Sequence, residues 1–176
     1  MVTLGLDAST TCVGYAFTED KKILDMGFID IKKEKTPKDK VQKVLEFINN
    51  NSYIDSVMDI NIEDNLSGFM GGRTSQQTII KLAKFNAILC FMLENFDFTV
   101  HSINPMTARK QVFGKARIKG LKAKDLVKMK IEKMYDTSKW CKTTPRGNWD
   151  KRNIDMYDGL VMSLYEHKQK KAWLLP

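Results

Sequence analysis

Cysteine is scarce in this chain, and its placement excludes crosslinks. Cys12, Cys90 and Cys141 are odd in number, scattered and set mostly among apolar neighbours. They supply neither a disulfide framework nor a zinc site, which points to a reducing compartment. Long hydrophobic runs are also missing: none approaches the roughly 20 residues of a membrane span, so no membrane partner is expected. The chain opens directly into an apolar strand, Val2 to Leu6, so no signal or transit peptide is expected. No internal repeat and no linker interrupts the 176 residues. One α/β domain over residues 1–176 follows, with 43% apolar residues to fill its core.

Acidic residues are nearly absent from one stretch. Between Arg109 and Lys133 ten basic residues face only Asp125 and Glu132, while the rest of the chain balances at 19 basic against 19 acidic. The net charge of +8 therefore sits in this segment. A solvated surface intersperses both signs. Concentration of one sign is the footprint of a polyanion partner, and Arg109, Lys110, Lys115, Arg117, Lys119 and Lys122 are its expected contacts. The ordinary alternative is a basic solvated helix face.

The elements follow from periodicity and punctuation. Residues 2–7, 12–18 and 23–31 read as three short strands in an antiparallel meander, with polar turns between them. Pro37 opens a helix to about Asn50, and a fourth strand spans 57–63. The Asp64 to Arg73 stretch reads as a glycine-rich loop with Phe69 and Met70 at its tip. Thr74 or Ser75 caps a helix to about Asn95 whose second apolar stripe, Phe85, Ile88 and Met92, suits a partner surface. A fifth strand covers 98–103, and helices follow at 105–113 and about 122–135. Residues 137–152 read as a loop, after which Asn153 caps a final amphipathic helix to about Lys170.

Four acids sit where ordinary packing would not place them. Asp7 closes the first strand and Glu63 the fourth. Asp155 and Asp158, at i and i+3, share one face in the first turn of the last helix, away from its apolar stripe. Each alone has a structural reading, as a turn cap or a first-turn acid. Together they form an all-oxygen set of the kind that Mg²⁺ prefers, and three or four carboxylates holding two ions are what phosphodiester hydrolysis needs.

The run Leu4-Gly5-Leu6-Asp7-Ala8-Ser9-Thr10-Thr11-Cys12-Val13-Gly14-Tyr15-Ala16 resembles the opening of RuvC-type Holliday junction resolvases. Ile62-Glu63 resembles that family's second acid, and Asp155-Met156-Tyr157-Asp158-Gly159-Leu160 its terminal acidic pair. The ordered set spans nearly the whole chain. The resemblance implies an RNase H-like fold, with a mixed five-stranded sheet flanked by helices. It also implies a homodimer, two Mg²⁺ or Mn²⁺ ions per site and symmetric nicking of four-way DNA junctions. It makes Asp7, Glu63, Asp155 and Asp158 the catalytic metal ligands and Lys124 the active-site lysine, with Lys122 its rival. Phe69 and Met70 then match a loop that works on the junction centre, with Arg73 beside them as a DNA contact. The 137–152 insert and the lysine-dense 115–130 segment depart from the bacterial pattern. With the Lys-, Asn- and Ile-rich composition they suggest a phage or viral member, in a bacterial or phage-infected cytoplasm, with viral or organellar settings as alternatives.

Three rival functions remain at this level. Asp-x-Ser-Thr-Thr after a strand also resembles the first phosphate loop of actin-like ATPases and sugar kinases, which need two such domains and a longer chain. An RNase H-like nuclease for flaps, other branched DNA or RNA–DNA hybrids would share the four acids. A non-catalytic DNA-binding module would not need them.

Overall fold

The computed structural model describes residues 1–64 and 75–167. β1 (Val2–Ala8), β2 (Cys12–Glu19) and β3 (Lys22–Asp30) form the antiparallel meander. Asp20 and Lys21 turn the chain between β2 and β3 with φ of 48° and 64°, the double positive φ that a two-residue hairpin turn needs. α1 (Pro37–Asn49) starts at a reciprocal Thr36–Asp39 capping box with Pro37 in its first turn. A 3₁₀ turn (Ile54–Ser56) leads into β4 (Val57–Glu63), which lies parallel beside β1. α2 (Gln76–Glu94) begins at Ser75, whose hydroxyl accepts from the Thr78 amide. It returns the chain to β5 (Thr99–Ile103), parallel to β4, and the sheet order is β3-β2-β1-β4-β5. α3 (Pro105–Phe113), α4 (Ala123–Met134) and α5 (Asn153–Ser163) complete the expected α/β architecture.

Strand alternation assigns the two faces of the sheet. Leu4, Leu6 and Ala8 of β1, Val13, Tyr15 and Phe17 of β2, and Ile60 and Ile62 of β4 form one core with α1 and α2. The intervening residues face α5. Here the sequence uses glycine to bring a helix onto the sheet. A Cβ on Gly5 would overlap the backbone of Gly159 and Ser163, and one on Gly14 would overlap the Asp155 carbonyl. Buried Asn61 anchors the far end of α5, donating to the carbonyls of Met162 (2.9 Å) and Tyr165 (3.1 Å). The Thr18 hydroxyl donates to the Ser163 carbonyl at 3.2 Å.

Several expectations change. The final helix stops at Ser163, well before Lys170, and residues 165–167 are not helical. It is not amphipathic: residues 156–163 are all buried, because the sheet, α3 and α4 enclose it. Asn153 does not cap it. Its buried side chain exchanges two hydrogen bonds with the Lys142 backbone, which ties the 137–152 segment to α5. That segment is no plain loop, since Thr143 and Trp149 pair across a tight turn at Gly147 (φ 76°). Phe85 lies in the core and Met92 packs against it, so the outer apolar face of α2 is Ile80, Ile88 and Phe91. The loop expectation for Phe69, Met70 and Arg73 falls on residues outside those described. Among the described residues no helix is long and apolar enough to cross a membrane.

Candidate active site

The parallel register places Gly5 opposite Asn61 and Leu6 opposite Ile62, so Asp7 and Glu63 end neighbouring strands on the α5 face. Asp155 stands in the first turn of α5 and Asp158 one turn further on, not in the first turn itself. Because the glycine contacts press α5 onto β1 and β2, all four acids crowd one end of the sheet. Their electrostatics record this. Burial raises the Asp7 pKa well above the usual carboxylate range, and Glu63, Asp158 and Asp155 raise it further. Glu63 is pushed up to about 7 by burial and then by Asp158, against the opposing pull of Arg109 and Lys124. Asp158 is also raised by burial, with Arg109 restraining the shift.

Two cations enter the cluster. Arg109 Nη2 donates to Asp158 Oδ1 at 2.8 Å, with both side chains almost fully enclosed. Arg109, one of the expected DNA contacts, turns inward from α3, where it neutralises buried carboxylate charge. Nothing in the local sequence separates it from its basic neighbours, since the partner lies 49 residues away. Lys124 Nζ donates to Asp155 Oδ1 at 3.3 Å from the start of α4, while Lys122 caps that helix in the open. Lys110, Lys115, Arg117, Lys119 and Lys122 are exposed. Gly114 and Gly120 bracket the 115–119 stretch with φ of 75° and 82°. Buried Cys12 also borders the cluster: its thiol pKa rises through burial and through the charge of Asp155.

The donor set suits a hard divalent cation. All four donors are carboxylates, and Glu63 Oε2 is buried with no hydrogen-bond partner. Arg109 and Lys124 hold Asp158 and Asp155, and among the described residues no three ligand-type side chains converge on one point. Each of those contacts uses only the Oδ1 of its carboxylate, which leaves Oδ2 of Asp158 and of Asp155 as the oxygen an ion would share.

The comparisons bear on this arrangement at the level of the fold. No protein-family model matches the chain, and no curated protein matches its sequence. Solved structures do. Thermus thermophilus RuvC in complex with Holliday junction substrate aligns with a TM-score of 0.59 at 10% identity, covering 93% of this chain and 90% of that one. A second Thermus thermophilus RuvC structure aligns with a TM-score of 0.57 at 12% identity and the same coverage. The fold is RuvC-like.

Titration of the acids gives a signed stability test. Glu63 has its pKa raised from 4.5 to about 7 in the folded chain. A group shifted upward adds stability fully present below its unfolded pKa, and loses it as pH rises through the folded value. Chelator-treated protein should therefore melt at progressively lower temperature as pH rises from about 4.5 to 7 through this group. Glu63→Gln should flatten the slope. A wild-type melting curve flat across that window would contradict the crowded-acid geometry.

Proposed function

We propose that this chain is a divalent-metal-dependent endonuclease that resolves four-way DNA junctions by paired, symmetric nicks. One observation carries the reading. Four carboxylates from two parallel strands and a helix crowd one end of the sheet, with two cations among them and a basic segment beside them. The RuvC-like fold supports it, as does the Holliday junction bound to the Thermus thermophilus protein. When bound, Mg²⁺ or Mn²⁺, two ions per site, supplies an activated water and Lewis-acid stabilisation of the phosphate and leaving oxygen. Asp7, Glu63, Asp155 and Asp158 would hold it. Arg109 offsets the buried negative charge and orients Asp158. Lys124, exposed beyond its contact with Asp155, stands at the site's rim, where it would neutralise charge building on the phosphate.

Incubation with labelled four-way junction, flap, linear duplex and RNA–DNA hybrid, with and without Mg²⁺, tests the proposal. Metal-dependent, paired incision of the junction is expected. Preferential cutting of flaps or hybrids would assign the same acids to the alternative RNase H-like reading, and no cutting of any substrate would remove the nuclease reading altogether.

Junction affinity should fall steeply with salt, with a log–log slope of about −0.9 per phosphate neutralised. Combined charge removal at Lys115, Arg117, Lys119 and Lys122 should flatten that slope, by up to about four contacts. Lys124→Ala should lower the cleavage rate more than the affinity. An unchanged salt slope in the combined variant would leave those lysines as a solvated face.

Paired incision of a near-two-fold junction calls for two equivalent sites, which a C2 homodimer supplies. The exposed Ile80, Ile88 and Phe91 on α2, at 53%, 37% and 63% relative accessibility, form the surface for it. Ile88→Glu with Phe91→Glu should give a folded monomer by light scattering, with coordinated double nicking lost. A wild-type monomer, both free and on junction DNA, would refute the dimer.

A further inference from the structure

The segment between α4 and α5, residues 137–152, builds concave surface against the candidate active site. A cavity of about 370 Å³ opens between α4 and this segment, and Lys124 and Asp155 of the acid cluster form part of its wall. That size falls in the range of about 300–1,000 Å³ for small-ligand clefts. A second cavity of about 590 Å³ lies against the hairpin turn at Arg146. Trp149, Lys151 and Arg152 line both, so the two form a trough leading away from Asp155.

The side chains of this trough divide by availability. Arg152 is committed: it binds Asp150 at 2.7 Å and Asp30 at 2.6 Å, which fixes the hairpin base to β3. Lys151 and Arg146 are exposed, and among the described residues no carboxylate lies within ion-pair distance of either. Trp149 is half-buried, 6.3 Å from the Tyr157 ring, with Lys128 Nζ 4.3 Å from its ring centroid. The trough thus offers uncommitted cations and an aromatic ring on which a base would take the place of the Lys128 ammonium, beginning at a carboxylate of the acid cluster. Stacking plates combined with a positive track are how proteins hold unpaired nucleotides without reading sequence.

We propose that this trough holds the unstacked nucleotides flanking the scissile phosphate, with a base packed on Trp149 and the adjoining phosphates on Lys151 and Arg146. The inference rests on the nuclease reading and gives that site its substrate track. It makes the 137–152 segment part of substrate recognition, and the ligand class is single-stranded or locally unpaired DNA.

The test uses the full chain in EDTA, so that binding is read without cleavage. Two probes serve: a labelled four-way junction, and a short single strand carrying 2-aminopurine at successive positions. Trp149→Ala should weaken junction binding about tenfold, in line with base–aromatic stacking. Trp149→Phe should retain most of the affinity. The exposed pair Arg146→Glu and Lys151→Glu should weaken binding more than tenfold and reduce the salt slope by about two contacts, with an unchanged melting temperature. One 2-aminopurine position should be quenched by wild-type protein and released in Trp149→Ala. Should Trp149→Ala unfold, the charge-reversal pair and the wild-type quenching profile decide the matter. Wild-type protein that cuts junctions while the charge-reversal pair binds within twofold of it overturns the trough and leaves the nuclease reading standing. Wild-type protein that binds none of these DNAs overturns both.

Discussion

Asp7→Asn, Glu63→Gln, Asp155→Asn and Asp158→Asn are each expected to lower junction cleavage on the order of a thousandfold, comparable to losing a group that stabilises transition-state charge. Junction binding should persist or tighten, because a negative charge near phosphate has gone and the basic surface is untouched. Gel-shift and single-turnover cleavage on the same junction separate the two effects. Stability distinguishes the four variants further. Asp7 and Glu63 are destabilised by burial and by like charges, so their neutral replacements should raise the melting temperature of the metal-free protein. Asp158→Asn should raise it least, because burial also lifts the Asp158 pKa but enclosed Arg109 offsets part of that cost. Full cleavage activity in any one variant removes that residue from the site.

Gly14→Ala should cause the largest loss of stability from one added methyl group. Its Cβ would overlap the Asp155 carbonyl, and backbone at the start of a buried helix does not yield as a flexible side chain does. Overpacking typically costs about 1–3 kcal/mol, and this contact belongs at or above the upper end. For a chain of this size the melting temperature should fall by roughly 6–12 °C. Activity should fall further than stability explains, because lifting α5 carries Asp155 and Asp158 away from Asp7. Chemical denaturation alongside cleavage at a temperature where the variant is folded tests both. A variant as stable and active as wild type would mean that α5 does not sit this close to β2.

The same contact shows how much of the site was legible beforehand. Asp7 and Glu63 stood out because each ends an apolar run, and strand alternation carries them to one face once the strands are parallel neighbours. Ser9-Thr10-Thr11, Glu19-Asp20-Lys21-Lys22, Pro37 and Pro105 marked the elements nearly to the residue, because turn and cap chemistry is local. Asp155 and Asp158 could be paired with each other by helix spacing. Their distance from Asp7 could not be read, because it depends on three glycines, Gly5, Gly14 and Gly159, meeting across the helix–sheet contact.

The order of strands and helices, the four acids and the location of the net charge could all be read along the chain. Each of these is encoded in local periodicity, capping or composition. The folded arrangement turns Arg109 inward to Asp158 while its basic neighbours stay in solvent. It alone put Phe85 in the core, left Ile80 and Phe91 outside, and ended the last helix at Ser163. It also folded 137–152 into a hairpin pinned by Asn153. These outcomes rest on contacts between residues distant in the chain. Burial and charge pairing there are settled by which surfaces meet, and no local pattern carries that information.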